Sequence, residues 1–356
     1  MSNLDLMQLV KEKVQSLKAY HVENIECEIK LHANENSFPP PPEILKQFEA
    51  VFKSTELNRY PDPDCGPLKQ TLAKRLNVAP ENLAIGNGSD ELIQILLQVF
   101  CDFGETVGFP DPTFAMYSII AQGMGLKSKT HPLDDQWDFK AEPFLETMAA
   151  SQARIAFLSY PNNPTGNCFS APEVQKVIEN FSGIVVLDEA YHDFAGKSFL
   201  SELPKHNNLV ILRSLSKIGL AALRVGYAVA DPLIIDQIDK IRLPYNSNAL
   251  SQKLTDRLLN HFAPVQKQLD ALIKARDGMI RELSKFKSLK VFPSDANFVL
   301  FRVEQDPGAI FKQLMESGIL IRNLSGHPRL KNCLRVTIGT PDENKAFLEK
   351  MAHIIK

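Results

Sequence analysis

Between residues 83 and 230 the chain repeats one pattern: a short apolar run, a polar loop rich in turn residues and, in most cases, a segment of helical periodicity. "LAIGN" runs into "GSDELIQILLQVF", "TVGF" into "PDPTF", "RIAFLS" into "YPNNPTG", "GIVVL" into "DEAY" and "LVILR" into "SLSK"; "RVGYAVA" is a sixth run. Apolar runs this short, bounded by Gly, Pro and Asn, predict strands buried on both faces. Strands alternating with helices make a mostly parallel sheet covered by helices. The expectation is an α/β fold with a large domain over residues 46–250.

The flanks differ in texture. Residues 251–287 predict one long charged amphipathic helix, and "LKVFPSDANFVLFRV" and "CLRVTIG" predict strands of a smaller α+β domain over 251–356. The arm 1–45 is expected to pack with that smaller domain. Its "FPPPP" at 38–42 reads as an extended connector entering a helix at Glu43, because proline fixes φ and disfavours helix in the residue before it.

A chain of 356 residues, 44% of them hydrophobic, has ample core for this arrangement. The net charge of −2 offers no basic surplus for nucleic acid. The longest apolar stretch, "LIQILLQVF", is too short to cross a bilayer. The N-terminal "MSNLDLMQLVKEKVQSLKAY" carries charges where a signal peptide needs an unbroken apolar core. It reads as a short amphipathic helix on a cytoplasmic protein. Cys27, Cys65, Cys101, Cys168 and Cys333 are scattered and form no C-x-x-C, which argues against a disulfide framework and against a metal site.

In an open α/β sheet, ligands bind beyond the carboxyl ends of the strands. The loops there carry Gly86-Asn87-Gly88-Ser89-Asp90, Asn162-Asn163-Pro164-Thr165-Gly166, Asp188-Glu189-Ala190-Tyr191, and Ser214, Ser216, Lys217 and Arg224. Each has an ordinary explanation: the glycine and proline loops are turn chemistry, Asp188 can cap a helix, and a lone lysine belongs on a solvated surface. Their convergence on one sheet edge favours a shared purpose. A lysine in an apolar pocket is a nucleophile toward aldehydes, which points to pyridoxal 5'-phosphate. That cofactor needs an anchor for its phosphate, an acid at its ring nitrogen, a donor to its ring oxygen and a partner for its ring face. The N–H groups of Ser89 and Asp90 at a helix start suit the phosphate, with Ser214, Ser216 and Arg224 alongside. Asp188 suits the ring nitrogen, Asn163 and Tyr191 the ring oxygen, and Phe114 the ring face. His192 and Asp193 extend "DEAYHDF" but lack the spacing that converges acids on a metal, so no metal is expected.

"YPNNPTG", "DEAY" and "SLSK" followed by "LR", in this order, resemble fold type I pyridoxal-phosphate enzymes of the aminotransferase class I/II family, over about residues 20–350. Within that family, "HANENSFPPP", "RYPDPDCGPLKQTLA", "GNGSDELI", "PDPTFAMY" and "CLRVTIGT" are similar to the branch that exchanges an amino group between histidinol phosphate and 2-oxoglutarate. The resemblance implies that Lys217 carries the cofactor and that the active unit is a homodimer, with Tyr60 reaching the cofactor phosphate of a neighbouring subunit. It implies that Arg335 binds the carboxylate of glutamate and that Tyr20 and Arg322 meet the distal phosphate of the other substrate. Asn36, within "HANENSFPPP", is placed with them on the substrate side. Lys217, once free, is the base that moves the proton at the substrate Cα. Between Lys217 and Arg224 the chain reads "IGLAAL", one residue shorter than the usual family pattern, so the loop must turn more tightly. The neighbouring alternatives are a threonine-phosphate decarboxylase and an aromatic amino-acid aminotransferase. A cofactor-binding regulator would need a DNA-binding module, for which the chain has neither length nor basic patch.

Overall fold

The computed structural model describes residues 6–15 and 25–355. Its strands are, in chain order, β1 (Ile29–Lys30), β2 (Leu83–Asn87), β3 (Thr106–Asp111), β4 (Lys127–Pro132), β5 (Ala153–Ser159), β6 (Ile184–Asp188), β7 (Leu209–Ser214), β8 (Val225–Ala230), β9 (Leu289–Val291), β10 (Phe298–Val303), β11 (Ile319–Leu320), β12 (Arg322–Asn323) and β13 (Cys333–Thr337). Seven of them form a sheet in the order β2-β8-β7-β6-β5-β3-β4, parallel except for β8, which runs antiparallel to both neighbours.

Alternate residues along a strand point to opposite faces. Val185, Leu187, Leu209 and Ile211 accordingly enter one core, while Val186, Val210 and Leu212 enter the other with Leu92, Leu96 and Tyr117. Burial on both faces is why these strands read as unbroken apolar runs. The six predicted strands are all present. The edge strand β4 escaped the sequence reading because "KSKTHP" is almost wholly exposed and polar. Lysines on an edge strand discourage pairing with another chain.

The long helix expected over 251–287 is two helices, Ala249–Asn260 and Ala263–Leu283. Pro264 sits in the first turn of the second, where its missing N–H costs nothing but where it cannot continue the preceding helix. The break redirects the chain. The first helix packs on the helices Pro42–Ser54 and Gly66–Leu76, and the second on β10 and the C-terminal helix Pro341–Ile354. Pro42 itself opens the helix after the proline connector, one residue ahead of the expected Glu43.

β12, β13, β10 and β9 form a second, antiparallel sheet. The segment before the prolines is tied to this C-terminal region. β1 pairs in parallel with β11, Thr337 N donates to Leu31 O at 2.9 Å, and Asn34 N donates to Thr337 Oγ1 at 3.0 Å. Near the N-terminus, Leu6–Leu9 form a 3-10 turn and Glu12–Gln15 a single helical turn; most of the rest of the short amphipathic helix expected there lies outside the described residues. No helix of the described residues is long and apolar enough to cross a membrane.

Candidate active site

A cavity of about 470 Å³ opens where the carboxyl ends of β5, β6 and β7 face the small sheet. Each strand end delivers a residue to it: Ser159 from β5, Asp188 from β6 and Ser214 from β7, with Lys217 on the 3-10 turn that follows. β12 and β13 close the other side with Arg322, Asn323 and Arg335.

One end is built for an anion. Ser89 and Asp90 begin the helix Ser89–Phe100, so their N–H groups have no partner within it. Ser214 Oγ accepts from Ser216 N at 3.2 Å, which fixes the turn before Lys217. Arg224 sits in the left-handed backbone region, φ 53, directly after the 3-10 turn Ala221–Leu223. From there its guanidinium donates to Ser216 Oγ at 3.4 Å and to Asp90 Oδ2 at 3.2 Å. The shortened loop therefore does bring Arg224 to the cavity. Gly88 lies under that guanidinium with φ 81, and a Cβ there would come within 2.6 Å of Arg224 Nη2.

The opposite end is acidic. Asp188 is 3% exposed. Tyr117 donates to its Oδ2 at 2.6 Å and Ala190 N to its Oδ1 at 3.1 Å. Burial pushes the Asp188 carboxyl up to about 6, against the pull of these two hydrogen bonds and of Lys217, which acts through space. A carboxylate desolvated this far is stabilised by a cation brought in from the cavity side.

Between the two ends stands a hydroxyl with a defined direction. Asn34 Nδ2 donates to Tyr191 Oη at 2.9 Å and Asn163 Nδ2 donates to it at 3.3 Å. Both amide orientations are fixed by their other atoms: Asn34 Oδ1 accepts from Thr337 at 3.2 Å, and Asn163 Oδ1 accepts from Arg335 at 2.6 Å. With its oxygen accepting twice, Tyr191 has its O–H proton left to donate. Lys217 Nζ lies 5.9 Å from the Tyr191 ring centre and 3.5 Å from Ala33 O. Phe114 meets Tyr117 edge-on at 5.5 Å.

The wall formed by the small sheet is basic. Arg322 and Arg335 are directly opposed partners of β12 and β13, so their side chains leave the same face of the sheet. Arg335 Nη2 also donates to His32 O at 2.8 Å. The loop after β12 is pinned across the cavity mouth, with His327 Nε2 3.1 Å from Asp111 Oδ1 and Arg329 donating to Leu133 O.

Of the described residues given a cofactor or substrate role from the sequence, all but Asn36 and Tyr60 line this cavity. The Asn36 amide donates to Ile218 O and Gln268 Oε1, and Asn34, two residues earlier, is the asparagine that reaches the site. Tyr60 lies on a different surface, 82% exposed and stacked on Tyr245 with ring centres 4.6 Å apart. Tyr20 lies outside the described residues. His32, Asn34, Tyr117 and His327 were missed. Tyr117 carried a signal in its place, three residues after Phe114, whose carbonyl accepts from its N–H at 3.3 Å.

The chain belongs to the family aminotransferase class I and II, which matches residues 27–351. Among curated relatives, the histidinol-phosphate aminotransferase of Caldanaerobacter subterraneus subsp. tengcongensis is 37% identical over 348 residues, spanning 98% of this chain and 99% of that protein. Histidinol-phosphate aminotransferase 2 of Nitrosococcus oceani is 41% identical, over 97% of this chain and 96% of its own length. The crystal structure of histidinol-phosphate aminotransferase from Sinorhizobium meliloti, in complex with pyridoxal-5'-phosphate, superposes with a TM-score of 0.88 at 25% identity, covering 97% of both chains.

Proposed function

We propose that this chain transfers the amino group of L-histidinol phosphate to 2-oxoglutarate, giving imidazole acetol phosphate and L-glutamate, with pyridoxal 5'-phosphate as cofactor. The observation that carries the reading is the layout of charge in one cavity: a buried carboxylate on the large sheet and a pair of arginines facing it from the small one.

The residues present fit the cofactor. A helix start with Arg224 and Ser216 suits a phosphate, the desolvated Asp188 suits a ring cation, and the Tyr191 proton suits a ring oxygen. When bound, the cofactor supplies an electron sink for the carbon that loses its proton. With the cofactor bound, Lys217 Nζ would hold it by its aldehyde carbon and, once displaced, would take the proton from Cα of the amine substrate and deliver one to Cα of the product glutamate. Asp188 keeps a cation in place across the cavity floor, and Tyr117 holds that carboxylate in orientation. Asn163 couples the two halves of the site, since it bonds Tyr191 on one side and Arg335 on the other. Arg335 takes the carboxylate of glutamate, and Arg322 shares the distal phosphate, for which a guanidinium fork is well matched.

Tyr60, exposed and stacked on Tyr245, is proposed to enter the cavity of a partner subunit in a homodimer. We place the protein in the cytoplasm. We divide it into an arm (1–45), a cofactor-binding domain (46–250) and a smaller domain (251–356), a division supported by the separation of the two sheets in sequence. The test incubates purified protein and pyridoxal phosphate with histidinol phosphate and 2-oxoglutarate and follows glutamate. Glutamate formation is expected. Carbon dioxide from threonine phosphate in its place, or turnover confined to aromatic amino acids, overturns the assignment.

A further inference from the structure

We infer that His32 is a further specificity-determining residue: its Nε2–H donates to the distal phosphate of the amine substrate, beside Arg322 and Arg335, and lets the cavity favour a phosphomonoester over a carboxylate. The inference rests on the substrate assignment above and adds a residue to it.

His32 lines the cavity next to both arginines, and its backbone is held there by Arg335 Nη2, which donates to His32 O at 2.8 Å. Its Nδ1 is buried and has no hydrogen-bond partner. A buried nitrogen beside guanidinium groups is better left as a lone pair than as an unpaired N–H, because an unmatched buried donor bears its full desolvation cost. The ring proton then sits on Nε2, on a half-buried ring that lines the cavity. Burial lowers the imidazole pKa below its ordinary value; Arg322, Arg335 and Lys30 lower it further, and Glu35 opposes them. The ring is therefore a neutral donor at pH 7. It adds a hydrogen bond to the basic wall without adding a third repelling charge.

The chemistry of the two substrates makes such a donor selective. A phosphate monoester presents three strong acceptor oxygens, and a carboxylate two. Arg335 already gives Nη1 to Asn163 and Nη2 to His32 O. The arginines can match the two oxygens of a carboxylate, whereas the third oxygen of a phosphate needs another donor.

The test compares His32→Leu and His32→Gln with the wild-type holoenzyme. Gln carries an amide N–H at a reach similar to that of Nε2, and Leu carries none. Steady-state KM is measured for histidinol phosphate and for glutamate, and inorganic phosphate is used as a competitor against glutamate. In His32→Leu the ratio of the two KM values is expected to shift against histidinol phosphate by about tenfold or more, the size of one hydrogen bond to a charged group. The inhibition constant of inorganic phosphate should rise in parallel. His32→Gln should restore most of both. An unchanged KM ratio with unchanged phosphate inhibition in His32→Leu overturns the inference, as does an equal rise for both substrates that Gln fails to rescue. If the wild type does not use histidinol phosphate, the substrate assignment fails, and the phosphate competition alone then decides the part played by His32.

Discussion

Tyr117 donates its hydroxyl proton to Asp188 at 2.6 Å, and both residues are buried. The bond orients the carboxylate toward the cavity, but it does not replace lost solvation, and the Asp188 carboxyl stands at about 6 against an ordinary 3.8.

That shift gives the cofactor-free protein a signed pH dependence. Between about pH 4 and 6 the folded state holds a proton that the unfolded chain has already released. Stability therefore falls as pH rises through this window and levels off above it. The size is on the order of 3 kcal/mol, at 1.36 kcal/mol per pKa unit. Urea unfolding of cofactor-free wild type and Asp188→Asn at pH 4 and pH 7.5 checks it. The variant should gain on the wild type by roughly that amount at the higher pH. Equal pH dependence of the two proteins would show that Asp188 is not the group responsible. The holo variant should retain cofactor and lose most of its transamination, because an amide cannot balance a ring cation.

Lys217→Ala should leave no covalent route to the cofactor. Wild-type protein treated with pyridoxal phosphate and borohydride is expected to gain a modified peptide containing Lys217 by mass spectrometry. Modification of the Ala variant at comparable yield elsewhere in the cavity would remove the lysine from its assigned position.

Gly88→Ala probes the anion end without touching a donor. The added methyl meets Arg224 Nη2 at 2.6 Å and sits on a backbone with φ 81. With ψ 166, this positive-φ extended backbone is essentially glycine's alone and costs on the order of 1–3 kcal/mol for a residue with a Cβ. Cofactor affinity, followed by fluorescence titration, should drop about tenfold as the guanidinium loses Ser216 and Asp90, since one charge-assisted bond is at stake. Unaltered affinity would mean that Arg224 does not serve the cofactor.

Tyr60 is best tested by complementation. Tyr60→Ala and Lys217→Ala are each expected to be inactive as homodimers. When the two are refolded together, hybrid dimers contain one site with both native residues and should recover activity. A mixture no more active than its parents rules out a shared site.

Much of this was legible in the sequence, and the reasons divide cleanly. β5, β6 and β7 are buried on both faces, so their apolar runs announce them, and the loops after them must then share one sheet edge. Lys217, Asp188 and Asn163 follow from that alone. β4 has no apolar face to betray it. The break before Pro264 was visible as a residue, but helical periodicity on both sides obscured it. Asn34 and Asn36 both belong to "HANEN", and the bonds of Asn34 to Thr337, across 303 residues, and to Tyr191 decide which amide turns inward. His32 and His327 are equally silent, because their neighbours in space come from elements far away in the chain.

The directly opposed Arg322 and Arg335 have a further consequence for how long the protein lasts. Like charges facing each other across two strands weaken the pairing between them, and β12 is only two residues long. An anion seated between the arginines removes that weakness. Ligand binding confined to the folded state raises stability with the logarithm of ligand concentration. The small sheet should therefore be most open to proteases when phosphate esters and dicarboxylic acids are scarce, so that metabolite supply sets the lifetime of the enzyme as well as its turnover.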